Sequence, residues 1–413
     1  MKKILITLTI VIVVVLIGFG GYYIRSRQGT PATDTTRETG SLPSDAGGTN
    51  AAAQNQSIES SLLSSLNSIS QNQILDYFVN GENDYSIIKP DGAVIKISGG
   101  KEEVLSNGPV AGITSASFSY DGKRIMALVG GGSSRVKIEI FDFDQKNWRL
   151  LPNIAQSPVW SPDRHQIAFL SQIGQSSALY TLNVDDLRAK PVEITRIHQE
   201  DMILNWVSRS KIFFAEPPSG RWNSSLWSFD MANKSLSAIL LDKPGLETIW
   251  GVSSSSASAN AGLAITSDIS GLGGRLRLIN QGGKEIQNLN FLTLPSKCTF
   301  YNKPVAQNST SSPASSASTS KTAPAAKTNT TLVCAVPRDS RILQNNPLPD
   351  AYQKKSIFTS DDFFEMDVSS GNAKSVFNDP KTGVDAEKLK VFGKSVFFIN
   401  RLDQRAYSFS LPQ

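Results

Sequence analysis

Histidine and cysteine are scarce in this chain, which has two of each among 413 residues. Zinc and other transition-metal sites are built mainly from these two residue types, so the sequence argues against such a site. His165 lies in a polar turn, where we expect its side chain to be solvated. No metal or organic cofactor is expected.

Catalytic motifs are also missing. The chain has no G-x-S-x-G nucleophile elbow, and its glycine runs at 130–132 and 271–274 do not lead into a helical pattern, as a phosphate-binding loop requires. A net charge of +5, spread over 41 Lys and Arg against 36 Asp and Glu, predicts no basic face. We therefore expect neither a hydrolase triad nor a nucleic-acid partner.

One long apolar segment stands at the start of the sequence. Residues Ile4–Ile24 carry no charge and, as a helix, match the ~30 Å hydrocarbon core of a bilayer. Residues 1–27 are therefore predicted to be a transmembrane signal anchor in the cytoplasmic membrane, with the N-terminus inside and the remaining chain on the extracytoplasmic side. A cleaved signal peptide is the alternative, although no small-x-small cleavage site follows the run.

The next segment, residues 28–57, is rich in Gly, Ser, Thr, Ala, Asn and Gln and has almost nothing to bury. This composition predicts a disordered linker, because such residues do not offset the entropy lost on ordering. The rest, 58–413, alternates short apolar runs with turn signals and is predicted to be one all-β domain.

A repeat organises this domain. The turn Ser161–Arg164 separates Trp160 from a strand-forming run, and the same pattern stands 42 residues earlier, with Phe118 and Asp121 in register with Trp160 and Asp163. Trp206 ends a weaker copy. A second pattern, alternating apolar residues followed by Asp or Asn and a turn, recurs seven times at intervals mostly of 41 to 54 residues. Such a period, filled by short strands, predicts a β-propeller of seven four-stranded blades.

These residues carry a family resemblance. The segment P-x-W-S-P-D-x-x-x-I-A-F, followed by L-Y-x-L-N, resembles the WD-type repeat of TolB-like periplasmic proteins and of the propeller domains of prolyl-oligopeptidase relatives. In that family the motif residues pack blades and shape turns. The resemblance therefore implies structural roles for Phe118, Asp121, Trp160, Asp163 and Trp206, and no catalytic residue.

The two ends of the domain are expected to meet. The final repeat supplies only three strands before the sequence ends, which would leave an open sheet edge. We predict that residues within 62–70 provide the fourth strand.

The sixth repeat contains an insertion at 303–331, a Ser/Thr/Ala/Pro run predicted to be disordered. The segments on either side hold Cys298 and Cys334. If these segments are neighbouring strands, the two thiols would face each other and form a disulfide in an oxidising compartment. Two buried reduced thiols or a reactive cysteine remain alternatives.

Two functions from different classes fit these features. The first is a membrane-anchored extracytoplasmic scaffold without catalytic activity, which binds a protein or an envelope glycan through loops at one rim. Arg221 and Trp222, in a Pro/Gly/Ser-rich loop, are the candidate contact. The second is an envelope enzyme of lyase or glycosidase type with a site in the propeller channel. The innermost strands are expected to be apolar or small, which favours the scaffold.

Overall fold

The structure, a computed structural model, describes residues 66–106, 110–130, 136–251, 261–268, 271–304, 328–378 and 383–412. The predicted anchor at 1–27 and linker at 28–57 lie outside these ranges, as does most of the predicted insertion. Within these ranges, no helix has the length and hydropathy needed to cross a membrane.

The described part of the chain is nearly all β, and most of its strands pair with their neighbours in sequence. After β1 (Asn67–Ser68), a four-stranded antiparallel sheet contains Asp76–Gly81 (β2), Asp84–Ile88 (β3), Val94–Ser98 (β4) and Lys101–Val104 (β5). A seven-stranded sheet follows, with Ile113–Phe118 (β6), Arg124–Val129 (β7), Val136–Asp142 (β8), Asn147–Trp160 (β9), Gln166–Ile173 (β10), Ser176–Asn183 (β11) and Val192–Ile197 (β12).

Four further sheets complete the described part of the domain. The first consists of Ile203–Ser208 (β13), Lys211–Ala215 (β14), Asn223–Asp230 (β15) and Ser235–Pro244 (β16). The second consists of Glu247–Trp250 (β17), Ala261–Thr266 (β18), Arg275–Asn280 (β19) and Glu285–Asn288 (β20). A 3-10 helix, Pro295–Lys297, precedes Cys298–Pro304 (β21), Thr328–Pro337 (β22), Asp361–Asp367 (β23) and Ala373–Phe377 (β24). The last sheet joins Ala386–Phe392 (β25), Ser395–Asn400 (β26) and Arg405–Ser410 (β27) to β1.

The core lies between neighbouring sheets. Apolar side chains on the facing sides of two sheets form most clusters, such as Val207, Phe213, Trp250 and Ile279 between the sheets of β13–β16 and β17–β20. One cluster, around Phe169, lies within the seven-stranded sheet. The first strand of the last sheet, β25, contacts both β21 and β2, so the sheets return to the start of the domain. This arrangement matches a β-propeller and confirms the predicted all-β architecture.

The predicted closure is also confirmed. Asn67 and Ser68 pair antiparallel with Ser408 and Tyr407 and so add β1 as the fourth strand of the last sheet. Leu66 is buried in the cluster that contains Phe409, which anchors the segment. The N-terminal and C-terminal parts of the domain therefore share one sheet.

The strands of each sheet alternate in direction, so successive loops lie at opposite ends of the domain. We call one end the turn face; it carries the repeat turns 119–123 and 161–165. We call the other end the insertion face, a name that refers to its own loops 216–222, 267–268 with 271–274, and 338–360, each of which follows the second strand of its sheet. The predicted insertion at 303–331 is not one of these loops, because Pro304 ends the first strand of its sheet and Thr328 begins the second.

The sequence pattern did not predict the helices of the loop 338–360. It contains two short helices, Arg341–Gln344 (α1) and Asp350–Gln353 (α2). Leu343, Leu348 and Tyr352 bury their side chains in the core cluster between the sheets of β17–β20 and β21–β24. These three apolar anchors hold a loop whose helices are too short to be stable alone.

The insertion predicted at 303–331 is shorter at both ends than expected. Strand pairing continues through Lys303↔Asn329 and Pro304↔Thr328, and Thr331 pairs with both neighbouring strands. The β-branched residues of T-N-T-T-L-V extend the strand into what composition alone assigns to the insertion.

Candidate functional site

The residues predicted to shape the repeat lie where the pattern places them. Phe118 packs against Phe78, with ring centroids 5.9 Å apart, and Trp206 is 5% exposed in the cluster between two sheets. Trp160 is half-buried, and its Nε1 donates to the carbonyl of Ser117, 3.1 Å away. Phe118 and Trp206 therefore pack between sheets, whereas Trp160 packs between two parts of the seven-stranded sheet.

The repeat aspartates have equivalent roles in their turns. Asp121 accepts from the Ser119 hydroxyl, and Asp163 accepts from the Ser161 hydroxyl, both at 2.9 Å. Asp163 also accepts from Nε of Arg209 on the next sheet at 2.8 Å. Burial disfavours the ionised form of Asp163, but the bonds from Arg209 and Ser161 outweigh it and lower the pKa.

His165 is not solvated as expected. Its Nε2 lies 2.9 Å from Asp121 Oδ1, and its Nδ1 lies 2.7 Å from Asp185 Oδ2, with 13% of the side chain exposed. Asp121 belongs to the turn of the preceding repeat, 44 residues earlier in the chain, which explains why local sequence gives no sign of the contact. His165 thus joins two carboxylates across neighbouring repeats.

The two cysteines form a disulfide in the structure. Cys298 and Cys334 are directly paired residues of β21 and β22, and their Sγ atoms are 2.06 Å apart. Both side chains are buried. The bridge fixes the two strands on either side of the insertion, as expected from the sequence.

The innermost strands are more polar than predicted. Asp76 on β2 is 5% exposed, and Nζ of Lys390 on β25 lies 3.3 Å from its Oδ1. Nζ of Lys388 donates to the carbonyl of Leu75, 2.6 Å away. A register shift between Glu387 and Lys390 interrupts the regular alternation of β25 beside these two lysines. The expectation that the inner strands are apolar or small therefore does not hold at Asp76, Lys388 and Lys390.

A buried ion cluster lies at the insertion face. The ammonium group of Lys297, which is fully buried, lies 2.6 Å from Asp385 Oδ1 and 2.7 Å from Asp361 Oδ2. Asp385 also pairs with Nη1 of Arg401 at 2.7 Å, and Arg401 donates to the carbonyl of Tyr352. The cluster therefore links the 3-10 helix, the loop 338–360 and the first strand of the last sheet.

The two aspartates of this cluster differ electrostatically. Burial raises the pKa of Asp361, and its Oδ1 has no hydrogen-bond partner among the described residues. Burial also disfavours ionised Asp385, but Lys297, Arg401 and the Thr359 amide outweigh it and lower the pKa. The four charged side chains are buried, so the cluster supports the insertion face as structure.

The predicted contact residues lie at the surface of the insertion face. Trp222 is 64% exposed, and Arg221 is also exposed. The loop is fixed beneath them, because Asp350 of α2 accepts from the Gly220 amide at 2.6 Å and from the Ser219 hydroxyl at 3.2 Å. A large aromatic side chain is thus presented on an anchored backbone.

Two adjoining clefts extend along this face. One, of about 650 Å³, is lined by Arg221, Asn223, Pro347 and neighbouring residues, and the other, of about 840 Å³, includes Phe291. Asp268 and Leu272 line both clefts. The face therefore combines exposed apolar side chains, charges of both signs and a concave surface, the usual constituents of a binding rim.

Sequence reasoning missed the ion cluster and the loop that anchors Trp222. Lys297 follows Pro295-Ser296, and Asp361 begins a strand, so neither residue carries a motif. The buried apolar pattern Leu343, Leu348 and Tyr352 was the available signal for the loop 338–360.

No protein-family model and no curated protein matches this chain. Its structural neighbours are β-propeller proteins. The tricorn protease is 11% identical, with 82% of this chain and 34% of that one covered and a TM-score of 0.46, so the chain spans about a third of tricorn. An oligogalacturonate lyase in complex with manganese is 10% identical, with 84% and 90% covered and a TM-score of 0.48.

A TolB protein from Agrobacterium tumefaciens is 15% identical, with 52% of this chain and 79% of that one covered and a TM-score of 0.35. The neighbours thus include enzymes as well as a TolB protein, and all three TM-scores lie below 0.5. The fold assignment therefore rests on the sheets of this chain.

Proposed function

We propose that this protein is a non-catalytic β-propeller scaffold that binds a protein or an envelope glycan at its insertion face. The observation that carries the proposal is Trp222, 64% exposed on a loop that Asp350 anchors. Exposed aromatic and arginine side chains beside a cleft are the residues that dominate binding energy at interfaces.

The remaining features of the proposal concern architecture and location. We count seven blades, because the seven-stranded sheet becomes two blades of four strands when the long strand β9 is divided between Ala155 and Gln156. Ala155 pairs with β8, and Gln156 pairs with β10. Residues 4–24 would hold the ring at the outer side of the cytoplasmic membrane, and 28–57 would supply reach. If so, a carbonate wash of membranes releases a chain that lacks residues 2–27 but leaves the full chain bound. Release of both chains would show that residues 4–24 are not a membrane anchor.

Capture experiments with the full chain test the binding face. Envelope extracts are passed over immobilised wild type, Trp222→Ala and Tyr120→Ala. Tyr120 is the matched control, since it is an aromatic residue 48% exposed in a turn of the turn face. We expect Trp222→Ala to lose at least about tenfold of the retained partner, because truncating an interfacial hot spot costs ~2 kcal/mol or more, and Tyr120→Ala to retain it. Equal retention by all three proteins would refute the assignment of this face.

The alternative is an envelope enzyme with a site at the inner strands, and the charged residues there favour it. The Lys390 side chain keeps 36% of its surface exposed, yet its ammonium group is surrounded by protein, and this burial lowers its pKa. A lysine of this kind can serve as a base. In this structure, however, its Nζ already contacts Asp76 and the carbonyl of Tyr77. Turnover of envelope polysaccharide that Lys390→Met abolishes would favour the enzyme.

A further inference from the structure

A cleft lies between the first sheet, β2–β5, and the last sheet, β25–β27 with β1. Its volume is about 660 Å³, which is within the ~300–1,000 Å³ range of ligand-binding clefts. The turns that contain Glu82 and Lys394 border it, and both turns join the first and second strands of their sheets, as the repeat turns 119–123 and 161–165 do. The cleft is therefore at the turn face, the opposite end of the domain from Trp222.

The floor of the cleft is apolar. Ile97 of β4 and Phe397 of β26 line it and belong to the core cluster that joins the first and last sheets. The rings of Tyr85 and Phe397 pack there, with centroids 5.8 Å apart. Phe392, at the end of β25, also lines the cleft and is 40% exposed, so its ring is accessible to a ligand.

The walls of the cleft are polar. They include the side-chain amides of Asn67, Gln71 and Asn83, which are exposed and make no hydrogen bond with another described residue. An amide both donates and accepts hydrogen bonds, as do the hydroxyl groups of Ser395 and Ser410, which also line the cleft. The cleft therefore offers donors and acceptors together around an apolar floor.

Charged side chains at the cleft carry both signs. Glu82, Glu102 and Lys394 line it, and none of the three forms an ion pair with a described residue. An anionic ligand would meet the two carboxylates, and a cationic ligand would meet the ammonium group. An uncharged ligand with hydroxyl groups meets neither obstacle, because hydroxyl groups donate to carboxylates and accept from ammonium groups.

We propose that this cleft binds a short uncharged oligosaccharide that carries N-acetyl groups. The sugar hydroxyls bond with the amides and carboxylates, the apolar face of one sugar ring stacks on Phe392, and an acetamido methyl group contacts the apolar floor. A cavity of ~150 Å³ holds one benzene molecule, so the cleft has room for about two substituted sugar rings. This second site does not rest on the proposed function, because the insertion face lies at the other end of the domain.

Ligand binding to the full chain in lipid nanodiscs tests the cleft directly. Saturation-transfer NMR at pH 7 with N,N′-diacetylchitobiose is expected to show saturable binding. Cellobiose has the same linkage but carries hydroxyl groups in place of the acetamido groups, and we expect it to bind at least about tenfold more weakly. No binding of diacetylchitobiose, or equal affinity for the two disaccharides, would overturn the proposal.

Two variants locate the bound sugar. Phe392→Ala removes the accessible ring and should weaken diacetylchitobiose binding about tenfold. Ser410→Trp, at the exposed end of β27, fills part of the cleft and should abolish binding. Tyr120→Ala is the matched control and should leave binding unchanged, since Tyr120 is an aromatic residue 48% exposed on the turn face and outside the cleft. An affinity that neither Phe392→Ala nor Ser410→Trp lowers would place the sugar elsewhere and refute the site.

A peptide probe separates a sugar ligand from a peptide ligand. N-acetyl dialanine amide carries amide and methyl groups but has no hydroxyl groups and no ring to stack on Phe392. We expect it to bind more weakly than diacetylchitobiose, and tighter binding of the peptide would contradict the proposal. Failure of the proposed function appears elsewhere, as partner retention that Trp222→Ala does not reduce.

Discussion

At the scale of single residues, Lys297 makes two buried charge contacts that the sequence does not predict. The ammonium group is completely buried and lies between Asp361 and Asp385. Removing one partner of a buried ion group leaves uncompensated charge in a medium of low polarity, whereas surface pairs contribute little. The loss should therefore be far larger at Lys297 than at an exposed lysine.

We expect Lys297→Met to lower the free energy of unfolding by about 3–5 kcal/mol, because both aspartates lose their nearest cation. Lys303→Met is the matched control: that lysine is 43% exposed, and its partner Glu365 keeps a second ion pair with Lys374. The control should cost less than about 1 kcal/mol. Urea unfolding of both variants measures the difference, and equal losses would contradict a structural role for the cluster.

The pH dependence of stability follows from Asp385. Its pKa in the folded state lies below the ordinary value, so it stabilises the fold above the unfolded-state pKa, and this contribution is lost as the pH falls through the lowered value. We expect the stability difference between wild type and Asp385→Asn to shrink as the pH falls from about 5 to about 2. A difference that stays constant over this range would show that the carboxylate is not ionised in the fold.

At the scale of elements, paired strands determine both the disulfide and the closure. Cys298 and Cys334 are separated by 36 positions, and closing a loop of that length removes ~4 kcal/mol of unfolded-chain entropy. We expect a reductant to lower the urea midpoint of the wild type and to leave the double variant Cys298→Ala with Cys334→Ala unchanged. Two titratable thiols in the unreduced, denatured wild type would instead support the reduced pair.

Engineered cross-links test the closure of the last sheet. Asn67 lies opposite Ser408 across β1 and β27. We expect Asn67→Cys with Ser408→Cys to oxidise readily and to add up to ~5 kcal/mol of stability. Asn67→Cys with Ser410→Cys shifts the pair by two residues and should remain reduced. Mass spectrometry of tryptic peptides measures both, and preferential bridging of the shifted pair would disprove the register.

At the scale of the whole molecule, the repeat period predicts the sheets well, because each sheet needs four short alternating runs and a turn. Asp121 and Asp163 follow from the turn pattern, and the closure by 62–70 follows from an incomplete last repeat. Contacts between side chains of different repeats are not predicted in this way. His165 with Asp121 and Lys297 with Asp385 join residues distant in sequence, and a single sequence contains no signal for such pairs.

At the insertion face, too, sequence predicts the local features and misses the contacts between distant residues. The composition around Trp222 predicts an exposed loop, but the support from Asp350 comes from 128 positions further along the chain, in a loop that the repeat does not contain. Local sequence therefore indicates the exposed contact, while the anchored geometry emerges only when the ring assembles.

Site-specific photo-crosslinking in intact cells tests most directly whether the insertion face binds a partner. A photoreactive amino acid replaces Trp222 in one full-length variant and Tyr120 in another. We predict a discrete cross-linked adduct from position 222 and none from position 120. Adducts from position 120 alone would place the partner at the turn face and refute the assignment to the insertion face.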